Sequence, residues 1–153
     1  MIDYTREIGM NSESKRCVFS LSKKDEFTSM EYAKNWLLNK GEKPYYFRES
    51  KPKALVSGSI VLFSFEAQIF GQAVVKKGIR EVPFEEQENW RRTGNVVYKY
   101  CMNFEPSSIE VFRFHPAKKD ITEKLGINFG QLFTYLNPNQ HQEILKMASA
   151  MSS

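Results

Sequence analysis

Apolar positions in the first third of the chain are spaced first like a strand and then like a helix. The run Cys17–Leu21 is β-branched and aromatic between polar neighbours, which is typical of a strand. Farther along, apolar residues recur every three or four positions, as they do on one face of a helix. This apolar stripe consists of Met30, Ala33 and Leu37. Thr28 or Ser29 can cap the N-terminus of the helix, and Gly41 is a typical residue at its C-terminal end.

The middle of the chain has the pattern of consecutive strands. A short extended segment is predicted at Tyr45–Arg48, and a strongly apolar run follows at Gly58–Phe65. A turn at Glu66–Gln68 joins this run to a second one, Ile69–Val75, and two apolar runs with a short connection predict a β-hairpin. Gly71 within the second run predicts a bulge or the close approach of another backbone segment.

Two further strands are predicted in the second half of the chain, at Val96–Phe104 and Ile109–Phe114. The segment Pro83–Asn95 before them is polar and aromatic without a clear period, and we interpret it as the longest irregular stretch. The segment Asn128–Leu136 alternates irregularly and predicts either a turn of helix or a covered loop.

The last third of the chain otherwise has helical signals. A short helix is predicted to begin at Asp120 or Thr122 and to stop at Gly126. Asn137 is predicted to cap a terminal helix whose first residue is Pro138. Because the predicted strands follow one another through short turns, we expect an α+β fold. The predicted architecture is a small mixed β-barrel of about five to six strands with flanking helices.

The length and charge of the chain fit one domain of ordinary globular composition, with 153 residues and a formal net charge of +4. We expect an accessory or loose arm over residues 1–15 and a single domain over residues 16–153. No apolar run approaches the roughly 18–20 residues that cross a membrane. The N-terminus is charged and lacks the apolar segment of a secretory signal. These features predict a cytoplasmic protein without a membrane partner.

The cysteine and histidine content argues against a disulfide framework and against a metal site. The chain has only two residues of each type, and the cysteines are far apart in sequence. Cys17 and Cys101 both lie in apolar stretches, so we predict that they are buried free thiols. We expect no metal and no other cofactor.

Aromatic residues are the unusual part of the composition, since 12 Phe, 7 Tyr and 2 Trp make up 14% of the chain. Such an excess indicates either a core rich in rings or a surface that stacks on flat ligands. Most of the Phe residues fall within predicted strands or helix faces, which assigns them to the core. The functional hypothesis therefore depends on a few Trp and Tyr residues close to Lys and Arg.

Three motifs resemble those of PUA-like barrels, the superfamily that contains the ASCH, EVE and YTH domains. The hairpin motif GSIVLFSF…IFGQAVV at residues 58–75 is similar to a glycine-led strand pair of EVE and ASCH domains, with Ser59 where those families usually have Asp. The motif GEKPYYFR matches the ASCH pattern Gly-x-Lys-x-x-Glu-x-Arg at Gly41, Lys43 and Arg48, but Tyr46 replaces the glutamate. The segment FGQLFTYLNPNQHQEIL resembles the closing segment of EVE-like domains. The resemblance as a whole covers residues 16–145.

The resemblance implies a barrel whose mouth binds a nucleotide or a single base, which in that superfamily is often modified. It implies RNA or DNA as the partner, and some bacterial members of the superfamily occur with restriction or defence nucleases. A minority of ASCH proteins are amidohydrolases that act on acetylated cytidine, with the Lys and Glu of the motif performing the chemistry.

The candidate nucleic-acid-binding residues combine rings that can stack on a base with cations that can bind phosphate. They are Trp36, Lys43, Tyr46, Arg48, Trp90, Arg91 and Arg92. We interpret Trp90 and the two arginines after it as the tip of a polar loop that stacks on a base and contacts phosphate. Structural alternatives stay open for these residues: Trp36 packs in the core, Trp90 closes one end of the barrel, and the arginines pair with nearby glutamates.

No catalytic residue is predicted. Sequence spacing supports no Ser-His-Asp, Cys-His or paired-carboxylate arrangement. Tyr46 cannot replace the glutamate of the motif as a base near neutral pH, because an unperturbed tyrosine has a pKa of about 10. We therefore expect a non-catalytic module that recognises a base, modified or not, in a single strand or flipped out of a duplex. The alternatives are an ASCH-like amidohydrolase that acts on acylated nucleosides and an accessory module that binds a protein partner in a defence system.

Overall fold

The computed structural model describes residues 14–22, 27–47, 51–52 and 55–150, which form seven strands and four helices. The strands are β1 Arg16–Leu21, β2 Tyr45–Phe47, β3 Ile60–Phe65, β4 Gln68–Glu81, β5 Tyr100–Phe104, β6 Glu110–Val111 and β7 Phe133–Leu136. The helices are α1 Met30–Leu38, α2 Phe84–Arg92, α3 Lys118–Leu125 and α4 Pro138–Ala150, and a 3₁₀ turn covers Pro106–Ser108. This confirms the predicted α+β class. The predicted arm and Arg48 fall wholly or mainly outside the described residues.

The strands form one mixed sheet in the order β2-β5-β4-β3-β1-β7, and β6 pairs with β4 beside this path. The pairing of β1 with β3 is parallel and every other pairing is antiparallel. The long strand β4 pairs with β3 through its first half and with β5 through its second, with register shifts in both ladders. This bend brings the two end strands towards each other, since Phe47 of β2 and Phe133 of β7 have ring centroids 6.1 Å apart. The sheet is a barrel that stays open between β2 and β7 in the described part of the chain.

The β3–β4 hairpin confirms the strongest sequence prediction, although its turn is shorter than predicted. Only Glu66 and Ala67 form the turn, and both have positive φ angles (50° and 62°), as a two-residue hairpin turn requires. Both interpretations of Gly71 are correct. An extra residue, Phe70, interrupts the ladder next to it, and a Cβ atom at Gly71 would lie 2.6 Å from the backbone oxygen of Glu110. Glycine is needed here because β6 approaches the bulged strand closely.

Alternate residues of the strands supply two separate cores. The inner face of the sheet packs against α1, with Phe19, Leu37 and Phe63 fully buried between them. The outer face packs against α3 and α4 around Leu62 and Ile144. Most of the Phe residues are core residues, as predicted. Both cysteines are buried free thiols, which is also as predicted, and burial raises the pKa of Cys17 to about 12.

The prediction of an irregular stretch at Pro83–Asn95 was wrong, because the segment contains α2. Its sequence is rich in Glu, Gln and Arg, which favour helix, with acidic residues in the first turn and Arg91 and Arg92 in the last. None of its residues is buried. The apolar period that identifies most helices is therefore missing, and the sequence signals for this helix are limited to intrinsic propensity and charge placement.

The segment Asn128–Leu136 is neither helix nor loop over its second half, since Phe133–Leu136 forms β7. This strand has only four residues, and its pairing partner is β1, more than a hundred positions earlier in the chain. Other elements differ from the prediction by a few residues. The strands predicted at Val96–Phe104 and Ile109–Phe114 are shorter in the structure, where they form β5 and β6. The first helix ends at Leu38, before the predicted end at Gly41, and α3 begins at Lys118, before the predicted start at Asp120 or Thr122.

The capping residues largely act as predicted. Ser29 caps α1 by accepting a hydrogen bond from the amide of Tyr32 at 3.1 Å. Asn137 precedes α4, and its Oδ1 accepts from the amide of Gln140 at 2.8 Å. Gly126 ends α3 in the left-handed conformation. Among the described residues, no helix has the length and apolar character of a membrane span.

Candidate functional site

The opening between β2 and β7 contains a cavity of about 780 Å³, which we call the edge cavity. Residues of both end strands line it, together with the end of β1, one face of α1 and the chain that leads from α2 into β5. Nine of its sixteen lining residues are aromatic: Phe19, Phe27, Tyr32, Trp36, Tyr45, Tyr46, Phe47, Tyr98 and Phe133. The open barrel therefore exposes an aromatic wall between β2 and β7.

Trp36 and Tyr45 form the inner part of this wall. The position of Trp36 on α1 directs its ring at the sheet, where it meets Phe27, Phe63 and Tyr45 edge-on with centroid distances of 5.0, 5.7 and 5.9 Å. Tyr45 faces inward on β2, because alternate residues of a strand point to the same side, and it packs against Phe47 and Phe19. Both rings are only partly buried. Trp36 thus packs in the core, as one alternative proposed, and also lines the cavity.

Lys40 lines the cavity, although it was not among the predicted site residues. Its Nζ lies 4.9 Å from the ring centroid of Trp36 and 5.6 Å from that of Tyr45, both within cation–π range. Burial, and after it the nearby charge of Lys43, lowers the pKa of Lys40 to about 8. The sequence indicates that Lys40 and Trp36 are close together, since residues four positions apart lie on the same side of a helix.

Tyr46, Trp90 and Tyr98 form a second aromatic cluster on the outer side of β2, beneath α2. The rings of Tyr46 and Tyr98 stack at 5.3 Å, and Trp90 meets both edge-on at 5.5 and 5.7 Å. The hydroxyl of Tyr46 donates to Oε1 of Glu86 at 3.3 Å. Burial, followed by the charge of Glu86, raises the pKa of Tyr46. The two tyrosines line the edge cavity, whereas Trp90 supports them from α2.

The predicted cations are distributed over three places. Arg91 lines the edge cavity and also pairs with Glu88 one turn earlier on α2, as the alternative interpretation proposed. Arg92 is exposed on the same helix outside the cavity lining. Lys43 is exposed after α1. Arg48 lies outside the described residues. The structure thus brings Trp36, Tyr46 and Arg91 to one cavity, and places the other described candidates around it.

A shallow groove of about 320 Å³ lies on the solvent side of α1 next to the edge cavity, and we call it the α1 groove. It is lined by Tyr32, Asn35, Trp36, Asn39, Lys40 and Lys43. Three of these residues, Tyr32, Trp36 and Lys40, also line the edge cavity. The two depressions therefore share a wall.

The charged residues that line the two depressions are all cations. They are Lys40, Arg91 and Lys99 in the edge cavity, and Lys40 and Lys43 in the α1 groove. No carboxylate is among the described lining residues. Nor do the described residues contain a group of three or more His, Cys, Asp or Glu side chains placed to hold a metal ion. Aromatic rings beside cations suit a flat ligand that carries negative charge, although Arg91 already pairs with Glu88 outside the lining.

The chain matches solved structures, whereas no family model and no curated protein matches it. The ASCH protein of Zymomonas mobilis is 13% identical, with a TM-score of 0.59 over 87% of this chain and 95% of that one. The N-terminal domain of McrB from Thermococcus gammatolerans, solved bound to m5C DNA, is 13% identical, with a TM-score of 0.54 over 88% and 98% of the two chains.

A third structure is the YTH domain of the Zygosaccharomyces rouxii protein MRB1, solved in complex with N6-methyladenosine RNA. It is 13% identical, with a TM-score of 0.52 over 91% of this chain and 89% of that one. At these identities the similarity is one of fold. The chain has the PUA-like fold that the sequence motifs predicted.

Proposed function

We propose that this PUA-like chain binds RNA or DNA by accepting one base, from a single strand or flipped out of a duplex, into the edge cavity, without catalysing a reaction. The observation that carries the proposal is the lining of this cavity, which is mostly aromatic and has only cations among its charged members. The cavity volume of about 780 Å³ lies within the range of roughly 300–1,000 Å³ typical of small-ligand sites.

Base stacking supplies the main attraction in this proposal. A base on a tryptophan or tyrosine ring gains about 1–3 kcal/mol. Trp36 and Tyr46 are the predicted rings that line the cavity, and Tyr45 and Tyr98 lie beside them. Such stacking accepts any base, so the cavity shape and the polar groups around it must discriminate between bases.

Phosphate contacts supply the second attraction. Lys40 and Arg91 border the same space as the rings, so a base between the rings places its sugar and phosphate near these cations. Two structures of the same fold contain nucleic acid with a methylated base, m5C DNA in one and N6-methyladenosine RNA in the other. A methyl group adds apolar area that an aromatic cavity can bury, so modified bases belong among the tested ligands.

A binding titration across salt concentrations tests the proposal directly. The ligands are short single- and double-stranded RNA and DNA, with and without one 5-methylcytosine or N6-methyladenine. We expect measurable affinity for at least one of them, with log K falling linearly against log salt by about 0.7 for each phosphate bound in a single strand. Absence of binding to all of them, or an affinity that does not change with salt, would contradict the proposal.

Hydrolysis of acylated nucleosides is the second candidate, and one observation favours it. The pKa of Lys40 is lowered to about 8, which leaves part of its amine neutral near physiological pH and able to act as a general base in the cavity. If this function holds, incubation with N4-acetylcytidine releases acetate and cytidine, which mass spectrometry detects, and Lys40→Met abolishes the release. An unchanged nucleoside pool after incubation removes this candidate. The protein partner in a defence system stays a prediction.

A further inference from the structure

The α1 groove contains three residues that take no part in lining the edge cavity. Asn35 and Asn39 are exposed and four positions apart, so they lie on one side of α1. Lys43 follows in the turn after the helix, where its backbone amide donates to the carbonyl oxygen of Lys40 at 2.9 Å. This hydrogen bond keeps Lys43 next to the helix end. The groove thus combines two carboxamides and an ammonium group beside the shared wall of Trp36 and Lys40.

Within the part of the chain that the structure describes, the two lysines of the groove have no acidic partner. Neither ammonium group is within ion-pair distance of a carboxylate among the described residues, whereas Lys34 on the same helix pairs with Glu31 at 3.6 Å. The charge of Lys43 contributes to the lowered pKa of Lys40, which shows that the two positive charges act on each other. An anion that bound in the groove would relieve this repulsion.

We propose that the α1 groove binds the sugar and phosphate of the nucleotide adjacent to the one whose base enters the edge cavity, so that the physiological ligand is a strand and not a free nucleoside. This inference rests on the proposed function. The ammonium of Lys43 binds the phosphate, and the carboxamide of Asn35 binds phosphate or sugar oxygens. Nδ2 of Asn39 donates one hydrogen to the backbone oxygen of Asn35 at 2.8 Å, and its second N–H binds the ligand oxygens. The ring of Tyr32, which is 46% exposed at the junction of the two depressions, offers a stacking surface to the flanking base.

The shared wall explains why the two sites would act together. A strand that crosses over Trp36 and Lys40 reaches from the edge cavity to the α1 groove without leaving the protein surface. When the first base is bound, the neighbouring phosphate is held close to the groove, and its binding becomes an intramolecular step with a high effective concentration. A free nucleoside cannot gain this advantage.

The test compares the binding of a single nucleoside with that of a short strand, using variants of residues that belong only to the groove. The probes are 5-methyldeoxycytidine and N6-methyladenosine, their unmodified counterparts, and single-stranded trinucleotides with the same base in the centre. For the wild-type protein at low salt, we expect the best trinucleotide to bind at least tenfold more tightly than its nucleoside. In Lys43→Gln this ratio falls to about threefold, and the salt slope falls by about 0.7, as for one lost phosphate contact. Asn39→Ala lowers the ratio in the same direction.

Lys77→Gln is the matched control, because Lys77 is exposed on β4 and lines neither depression. It should keep the wild-type ratio between trinucleotide and nucleoside. Nucleoside binding without a gain for the trinucleotide would overturn the groove and leave the proposed function intact, as would equal losses in Lys43→Gln and Lys77→Gln. If neither nucleoside nor trinucleotide binds while a longer single strand or a duplex does, the groove is wrong and the proposed function stands. If none of these ligands binds, both are wrong.

Discussion

A Lys40→Met variant is expected to bind single-stranded oligonucleotides about 100-fold more weakly than the wild-type protein and at the same time to be more stable. The loss of affinity follows from removing a cation that lies in the wall of the edge cavity, where a bond to a phosphate is shielded from water. Methionine is unbranched and of similar length, so it can keep the packing on Trp36 and Tyr45.

The gain in stability follows from the pKa of Lys40, which is about 8 in the folded chain and 10.5 in an unperturbed lysine. Below pH 8 both states carry the charge, and the folded state bears the full cost of burying it. Between pH 8 and 10.5 the unfolded state binds more protons, so the free energy of unfolding rises with pH in this window. The whole difference corresponds to about 3 kcal/mol. The lost cation–π contacts offset about 0.5–2 kcal/mol of it, which leaves a gain of about 1–3 kcal/mol for Lys40→Met at pH 7.

The two effects are measured by fluorescence titration with an oligonucleotide and by urea unfolding at pH 7. Lys40→Arg is the control, since arginine keeps the positive charge at every accessible pH. Wild-type affinity should fall as pH rises above 8, while the affinity of Lys40→Arg should stay level over the same range. A Lys40→Met variant that is less stable than wild type at pH 7, or that binds as tightly, would show that Lys40 is an ordinary structural residue.

The parts of the fold that the sequence predicted correctly have strong local signals. The β3–β4 hairpin combines two continuous apolar runs with a short connection, and the position of Gly71 marked the bulge. The N-terminus of α4 carried two independent capping signals, Asn137 and Pro138. Each of these signals depends only on neighbouring residues, so no knowledge of the tertiary structure was needed.

The wrong predictions concern segments whose structure depends on distant partners or on weak preferences. β7 is a strand because its four residues pair with β1, and nothing near them in sequence indicates this pairing. α2 lacks a buried face, so the apolar period gave no signal. That error also assigned Trp90 to a loop tip, whereas the helix holds it against Tyr46 and Tyr98.

The candidate site was predictable in its residue types but not in its geometry. Trp36 and Tyr46 were proposed from the aromatic excess and from the nearby Lys and Arg residues, and both line the edge cavity. The cavity itself exists because the sheet fails to close between β2 and β7, which is a property of the whole barrel. Lys40 became a candidate only when the structure placed its ammonium over two rings.

A chain of polar contacts around the buried His141, on the opposite face of the sheet, leads to the second large expectation, a loss of stability in acid. Arg16 donates from Nε to Nδ1 of His141 at 3.3 Å, and Nε2 of His141 lies 3.1 Å from Oε1 of Gln72. The amide nitrogen of Gln72 donates in turn to Oε2 of Glu110 at 3.2 Å. An arginine can only donate, so Nδ1 of His141 must accept, and the single proton of the neutral ring is on Nε2. These contacts connect α4 to β1, β4 and β6.

Protonation of His141 is incompatible with this arrangement. The residue is 3% exposed, and burial together with the charge of Arg16 lowers its pKa from 6.5 to about 4. As pH falls from 6.5 to 4, His141 binds a proton in the unfolded chain but not in the folded chain. The free energy of unfolding therefore falls across this window, by about 3 kcal/mol in total, and His141 adds no further loss at lower pH.

Urea unfolding of wild type and His141→Gln between pH 4 and 7 measures this effect. Glutamine offers a carboxamide that can accept from Arg16 and donate to Gln72, and it does not titrate, so the variant should be less sensitive to acid by about 3 kcal/mol over the window. The carboxylates titrate equally in both proteins and cancel in the difference. His115, whose pKa is also lowered by burial, is controlled by repeating the comparison in a His115→Gln background, where the difference should persist. Parallel stability curves for wild type and His141→Gln would mean that the ring binds its proton over the same pH range in the folded and unfolded chains, and that Arg16 does not hold Nδ1 as an acceptor.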